Sequence, residues 1–109
     1  MRFHIPIKLP SLANMSHQHW RTLASIAKKQ KEATHYCISG KTIPPMPLLV
    51  TITRIGPRRL DSDNLQSAAK FVRDQIAATV GVDDGSNMYT WQYEQRIGKY
   101  GVDIEITTR

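Results

Sequence analysis

The chain has 109 residues, a formal net charge of +6 and a composition that is 40% hydrophobic and 22% charged. These values are typical of a globular protein and exclude a low-complexity or disordered chain. We therefore predict a single folded domain over residues 1–109, which at this size buries only about two-thirds of the surface of its unfolded chain.

Cysteine content and hydrophobic runs indicate the cellular compartment. Cys37 is the only cysteine, so no internal disulfide can form, and a reducing compartment is expected. No apolar stretch approaches the ~20 residues of a membrane span. Only Arg2 precedes a short strand-like run at the N-terminus, which is unlike a signal peptide. We predict a cytoplasmic protein without a membrane partner.

The first strand is predicted close to the N-terminus, where four apolar residues alternate with polar residues or proline. These four residues are Phe3, Ile5, Ile7 and Leu9. Pro6 has no backbone N–H to donate to a neighbouring strand, which favours a position at the edge of the sheet.

A helix is predicted next, from an N-cap at Ser16 to about Tyr36. Its apolar residues recur at helical spacing, at Trp20, Leu23, Ala24 and Ala27. The other side of this helix is basic and carries Arg21, Lys28, Lys29 and Lys31. A basic helix face of this kind is either a solvated surface or a contact for a polyanion.

A buried strand is predicted at residues 48–55, because β-branched side chains are dense there. Gly56 and Pro57 end it, and a second helix follows from Leu65 to Val80. Its apolar stripe consists of Leu65, Ala68, Ala69, Val72, Ile76, Ala77 and Val80. The opposite face carries Asp63, Ser67, Lys70 and Asp74 within about 60° of one another.

Two further strands complete the prediction. Alternate residues of the first share one face, namely Tyr89, Trp91, Tyr93 and Gln95. Residues 98–101 are predicted to form a hairpin turn, and the last strand has an apolar face at Val102, Ile104 and Ile106. The order β-α-β-α-β-β predicts a small α+β domain with two helices packed on a mixed sheet.

Acidic residues are concentrated in one part of this basic chain. Five of the nine lie between positions 61 and 84, at Asp61, Asp63, Asp74, Asp83 and Asp84. With Lys70 and Arg73 as its basic residues, this segment has a net charge of −3, which leaves +9 for the rest of the chain. This charge distribution indicates a protein that binds a polyanion and a divalent cation together.

Carboxylates that converge need a cation between them. Two of them about 4 Å apart repel by roughly 4 kcal/mol at the effective dielectric of a protein surface. Mg2+ removes this repulsion, prefers oxygen ligands and keeps open positions for a phosphate oxygen.

Simpler roles are open for the same residues. Asp61 and Asp63 suit a helix N-terminus, Asp83 and Asp84 suit an ordinary turn before a glycine, and Lys70 lies four residues from Asp74, a spacing that allows a surface ion pair.

The acidic motifs carry a family resemblance. They consist of Leu60-Asp61-Ser62-Asp63-Asn64-Leu65, a helix that contains Lys70 and Asp74, and Gly81-Val82-Asp83-Asp84-Gly85. With the closing strand that contains Trp91, Tyr93 and Gln95, this pattern resembles the RusA family of Holliday-junction resolvases over most of the chain. Many members of that family are carried by phages, so the resemblance implies a bacterial or phage-infected cell.

The resemblance implies a homodimer that cuts two opposed strands of a four-way DNA junction. It also implies Mg2+ as the cofactor, with Mn2+ as a substitute, and Asp61, Asp63 and Asp84 as metal ligands in each subunit. Asp83 is the alternative to Asp84, because the interval from Asp63 to the Asp-Asp pair is slightly longer than the family pattern.

One departure from the family pattern concerns the catalytic lysine. The family has a lysine three residues after the asparagine, and this chain has Ser67 there. Lys70, one turn further along the same helix face, is the nearest substitute. The residues expected to contact DNA are Arg58, Arg59, Lys28, Lys29 and Lys31. Two other functions fit the same residues: a non-catalytic DNA-binding module, and a metal-dependent nuclease for flaps or RNA.

Overall fold

The computed structural model describes residues 1–12 and 20–109. Its elements in chain order are β1 (Arg2–Ile5), α1 (Trp20–Ile38), β2 (Leu48–Gly56), α2 (Ser62–Ala68), α3 (Lys70–Val80), β3 (Tyr89–Ile97) and β4 (Gly101–Thr108). The predicted α+β class is confirmed, and the helix start predicted at Ser16 lies outside the described residues. None of the helices in the described ranges has both the length and the apolar character needed to cross a bilayer.

The four strands form one mixed sheet in the order β1-β4-β2-β3. β2 and β3 are parallel, while β4 is antiparallel to both β1 and β2. The chain between the parallel strands contains α2 and α3, which supply the long crossover that a parallel pair requires.

The hairpin predicted at residues 98–101 is wrong, because β2 lies between β3 and β4. The connection instead passes the end of β2, where the Gly98 N–H donates to the Gly56 carbonyl at 3.0 Å. Val102, Ile104 and Ile106 of β4 are at most 1% exposed, which suits an inner strand. β4 lies between β1 and β2, whereas the more polar β3 lies at the edge of the sheet.

Pro6 has the effect expected from its missing N–H. β1 ends at Ile5, and its only partner among the described strands is β4, so the predicted edge position is confirmed. The alternation continues beyond the strand, because Ile5 and Leu9 are fully buried and Ile7 is 8% exposed.

The second predicted helix is present as α2 and α3, which meet at Ala69. The Ala69 N–H lies 3.2 Å from the carbonyls of both Leu65 and Gln66, so the backbone is distorted at this point without losing its hydrogen bonds. The predicted apolar stripe is confirmed as the core face, with Val80 partly buried and the other six residues buried. Gly81, with φ at 87°, ends α3.

The helix predicted from the spacing of Trp20, Leu23, Ala24 and Ala27 is present as α1, but these four residues do not form its buried face. Trp20 is 61% exposed, Ala24 is exposed, and Leu23 and Ala27 are only partly covered. The buried residues of α1 are Gln30, Thr34 and Ile38, all in its second half. Hydrogen bonds allow the two polar residues to be buried: Gln30 donates to the Lys8 carbonyl at 3.3 Å, and Thr34 to the Gln30 carbonyl at 2.7 Å.

The sheet face away from the helices carries an ion-pair network around Asp103. His4 Nδ1 lies 2.6 Å from one oxygen of Asp103, and Arg96 donates to the other at 2.8 Å. Partial burial alone raises the pKa of this carboxyl, but the hydrogen bonds from His4 and Arg96 and their charges outweigh it, so the pKa is lowered.

The lowered pKa makes a prediction about stability in acid. The stabilisation is present above the unfolded pKa of about 3.9 and is lost as the pH falls through the lower folded value. We expect Asp103→Asn to reduce the free energy of unfolding by roughly 0.5 kcal/mol at neutral pH, a value that allows for solvent screening of this half-exposed group. Denaturant titrations should show this difference disappear in acid, whereas Glu94→Gln, an exposed control on the same face, should have little effect. A difference that persists at pH values where the folded protein has Asp103 protonated contradicts the account.

Candidate functional site

The segment before α2 is fixed by a buried arginine. Arg54, in β2, is 5% exposed. Its Nε donates to the Leu9 carbonyl at 2.8 Å, and its Nη1 donates to the Arg58 carbonyl at 2.7 Å. Gly56 leaves room for this side chain, because a Cβ there would lie 2.9 Å from Arg54 Nη1. The chain that leads to Asp61 is therefore held against the end of β2.

Gln95 of β3 fixes the same segment at its other end. The Leu60 N–H donates to the Gln95 side-chain oxygen at 2.9 Å, and Gln95 Nε2 donates to the Leu60 carbonyl at 2.7 Å. A side-chain amide that satisfies both backbone groups of one residue acts like a neighbouring strand. The position of Asp61, the next residue, is therefore fixed beside β3.

Asp61 is the N-cap of α2. Its Oδ1 accepts from the Asn64 N–H at 2.9 Å, and its Oδ2 accepts from Asn64 Nδ2 at 3.2 Å. The capping role recognised in the sequence is therefore present. Each carboxylate oxygen has a second lone pair, so capping does not use up the acceptor capacity of Asp61. Asp63 lies in the first turn of α2 and is exposed.

Asp83 and Asp84 have different surroundings. Asp83 Oδ2 accepts from the Gly85 N–H at 3.1 Å, which makes it part of a local turn. Asp84 Oδ2 lies 3.2 Å from Arg73 Nε. The Asp84 carbonyl accepts from Trp91 Nε1 at 2.9 Å and from Arg73 Nη2 at 3.3 Å. Asp84 thus faces α3 and β3, where it has a cationic partner.

The negative charges of Asp83 and Asp84 also affect the neighbouring Tyr89. Its pKa is raised by burial and by the negative charges of Asp84 and Asp83. The hydroxyl therefore stays protonated and donates to the Val82 carbonyl at 2.8 Å, which fixes the start of the Asp83-Asp84 turn.

One face of β3 holds both acidic segments. Trp91 binds the Asp84 carbonyl, Tyr93 accepts from Arg73 Nη1 at 2.8 Å, and Gln95 binds Leu60. Alternate residues rise by about 6.6 Å along a strand, so the outer two anchors are separated by about 13 Å. The sequence correctly predicted that these side chains share a face.

A cavity of about 450 Å³ lies on the polar side of α2 and α3. Its lining residues are Gln66, Ser67, Lys70, Arg73, Asp74, Asp84 and Tyr93. Lys70 Nζ lies 3.1 Å from Asp74 Oδ2, so the ion pair recognised in the sequence is present. Asp84 therefore shares a cavity with the predicted catalytic lysine. Asp83 does not line it, and neither do Asp61 and Asp63.

The predicted DNA-contacting residues lie at the surface. Arg58, Arg59, Lys28 and Lys29 are exposed, and Lys31 is partly exposed. Phe71 connects the basic side of α1 with the cavity, because Lys31 Nζ and Lys70 Nζ lie 5.8 and 5.5 Å from the centre of its ring. The basic helix is thus next to the candidate site.

The carboxylates of Asp61, Asp63 and Asp84 are suitable ligands for Mg2+, but the structure does not bring them together around one point. Within the described part of the chain, no three carboxylate, imidazole or thiolate side chains are placed together as a ready metal-binding group. Asp84 faces Arg73, while Asp61 caps α2. Binding of one ion by Asp61, Asp63 and Asp84 therefore requires these side chains to leave the positions described here.

Three residues that organise the site were not identified as such from the sequence. Arg54 fixes the segment before Asp61, Gln95 fixes Leu60, and Arg73 pairs with Asp84. Arg73 carried a signal, since it is one of two basic residues within the acidic segment. Arg54 carried another, as the one charged residue of the strand predicted at residues 48–55.

Comparisons of the chain with protein-family models, with curated proteins and with solved structures gave no match.

Proposed function

We propose that this protein is a Mg2+-dependent endonuclease that cuts branched DNA as a homodimer. The observation that carries the proposal is the attachment of both acidic segments to one face of β3, beside the cavity that contains Lys70. The net charge of +9 outside the acidic segment supports a polyanionic substrate. The motif resemblance to RusA-type resolvases gives the four-way junction as the preferred substrate.

Each group has a role in this proposal. Asp61, Asp63 and Asp84 hold the ion, with Asp83 outside the cavity in its local turn. When bound, Mg2+ polarises the scissile phosphate and lowers the pKa of a bound water, and Mn2+ can replace it. Lys70 offsets negative charge on the phosphate or the leaving oxygen. Arg58 and Arg59 guide the DNA backbone past the carboxylates.

A second candidate function has its own support. Asp61 caps α2 and Asp83 closes a turn, which are structural roles that need no metal. A DNA-binding module without catalytic activity would use the same basic residues and the same acidic segments.

A cleavage assay separates these functions. The protein is incubated with labelled four-way junction, flap, linear duplex and RNA, with Mg2+ or with EDTA. We expect paired, Mg2+-dependent cuts in the junction and little cutting of the duplex. Binding to the junction without any strand scission overturns the nuclease proposal in favour of the module. Faster cleavage of the flap or of RNA assigns a different substrate.

Lys70 makes a separate prediction. Replacing it with alanine removes the cation proposed to offset charge on the phosphate, so we expect cleavage to slow by about 10- to 100-fold with little change in DNA binding. Asp74→Asn is the matched control, because it breaks the same 3.1 Å ion pair and leaves the cation in place. Single-turnover rates should separate the two variants. Equal rates for Lys70→Ala and the wild type would show that Lys70 serves only as the ion-pair partner of Asp74.

A further inference from the structure

The Arg73 side chain contacts three other residues of the candidate site, namely Tyr93, Asp84 and Trp91. Its Nη1 donates to the Tyr93 hydroxyl at 2.8 Å, and its Nη2 donates to the Asp84 carbonyl at 3.3 Å. Its guanidinium carbon lies 4.9 Å from the centre of the Trp91 ring. These contacts place a permanent positive charge between α3 and the turn that carries Asp84.

The contact between Arg73 and the Asp84 carboxylate is close but poorly aligned. Nε lies 3.2 Å from Oδ2, yet this buried nitrogen makes no hydrogen bond. An aligned guanidinium–carboxylate pair normally has two parallel hydrogen bonds. The pair at Asp84 therefore relies on charge more than on directed bonding, and its side chains are about one-third exposed, at 29% and 33%. Such a pair is readily exchanged for another partner.

A DNA phosphate is well suited to make that exchange. Arginine binds phosphate oxygens through two N–H groups in a fixed planar geometry. The cavity between Arg73 and Lys70 is open to solvent, and both cations line it. Asp84 and Asp74 line the same cavity as the ion-pair partners of Arg73 and Lys70, so a phosphate that enters there competes with one carboxylate for each cation.

We propose that Arg73 is an internal counter-cation of Asp84 that competes with the divalent ion and is withdrawn by a DNA phosphate. Metal binding and DNA binding then favour each other, because the phosphate frees the carboxylate that the metal needs. Arg73 is thus a positioning residue that acts through Asp84. The inference rests on the proposed function, since it takes Asp84 as a metal ligand.

The test is the affinity for Mn2+ alone, measured by calorimetry without DNA. We expect Arg73→Gln to bind Mn2+ about three- to tenfold more tightly than the wild type, because the competing charge is gone. Arg73→Lys keeps the charge and should gain less. Lys99→Gln removes one positive charge from an exposed position outside the candidate site and controls for a general electrostatic effect. The double variant Arg73→Gln/Asp84→Asn should lose the gain.

The outcomes are distinct. If the wild type binds Mn2+ and both Arg73 variants bind it equally or more weakly, the counter-cation is overturned while the proposed function stands. The same holds if Lys99→Gln gives an equal gain in Mn2+ affinity. If neither the wild type nor any variant binds Mn2+ at millimolar concentrations, both proposals fail. Circular dichroism establishes that the variants are folded, and Arg73→Met, which also removes the charge, replaces Arg73→Gln if that variant is not.

The reciprocal measurement uses DNA affinity. Fluorescence anisotropy with a short labelled duplex, at constant ionic strength, should show that Mn2+ strengthens DNA binding more in the wild type than in Arg73→Gln. A purely structural role for Arg73 would lower DNA binding by the same factor with and without Mn2+, and this result would contradict the exchange.

Discussion

Replacing Asp61 with asparagine is expected to reduce Mg2+-dependent junction cleavage by at least ~100-fold without unfolding α2. Asparagine is as good an N-cap as aspartate, so it can still accept from the Asn64 N–H as Asp61 does at 2.9 Å. What it lacks is the negative charge needed to hold a divalent cation. This substitution therefore separates the capping role of Asp61 from its proposed metal-binding role.

Asp84→Asn should produce a loss of similar size, because its carbonyl bonds to Trp91 and Arg73 are retained while the carboxylate charge is removed. Asp74→Asn, also at the cavity, is the control and should cleave at a rate close to that of the wild type. Single-turnover cleavage and anisotropy with the same junction give the rate and the affinity. Wild-type rates for both Asp61→Asn and Asp84→Asn would show that the acidic segments are structural only.

The second large effect concerns stability. We expect Arg54→Met to lower the free energy of unfolding by roughly 2–4 kcal/mol, because it leaves the carbonyls of Leu9 and Arg58 without their donors. Methionine fills much of the same volume, so the loss reports the hydrogen bonds more than a cavity. Arg58→Met, at an exposed position, should change stability by less than ~0.5 kcal/mol.

Urea titrations of the two variants test this prediction. Because Arg54 fixes the chain that leads to Asp61, Arg54→Met should also weaken cleavage at temperatures where the protein is still folded. A variant as stable as the wild type would show that the buried guanidinium contributes no net stabilisation, in which case the Leu9 and Arg58 carbonyls find other donors.

Periodicity predicted the parts of this fold in which neighbours along one element determine burial. The stripe from Leu65 to Val80 and the alternation from Tyr89 to Gln95 are both present, because each follows from the spacing of apolar residues along a regular element. The edge position of β1 followed from one local property, the missing N–H of Pro6.

The same patterns could not predict which elements meet when they are distant in the sequence. The glycines at 98 and 101 favour a turn, but they do not indicate whether the strands on either side pair with each other. In the structure β2 lies between them, because it pairs with β3 on one side and with β4 on the other. The stripe that begins at Trp20 has the spacing of a core face, yet only the second half of α1 reaches the core.

In the candidate site, too, the sequence indicated residues but not the contacts that depend on the fold. Residue types and spacing indicated Asp61, Asp63, Asp84 and Lys70, and the structure places Asp84 and Lys70 at one cavity. The pairing of Arg73 with Asp84 depends on α3 and the turn before β3 meeting in space, which no local pattern encodes. This contact determines how the Asp84 carboxylate is held.

The most direct test of the account is a crystal of the protein grown with Mn2+ and a non-cleavable DNA junction, with diffraction measured at the manganese absorption edge. The account predicts an anomalous peak coordinated by oxygens of Asp61, Asp63 and Asp84, with the Arg73 guanidinium turned from Asp84 to a phosphate. A structure with DNA bound and no metal at these carboxylates, and with Asp84 still paired to Arg73, would contradict it.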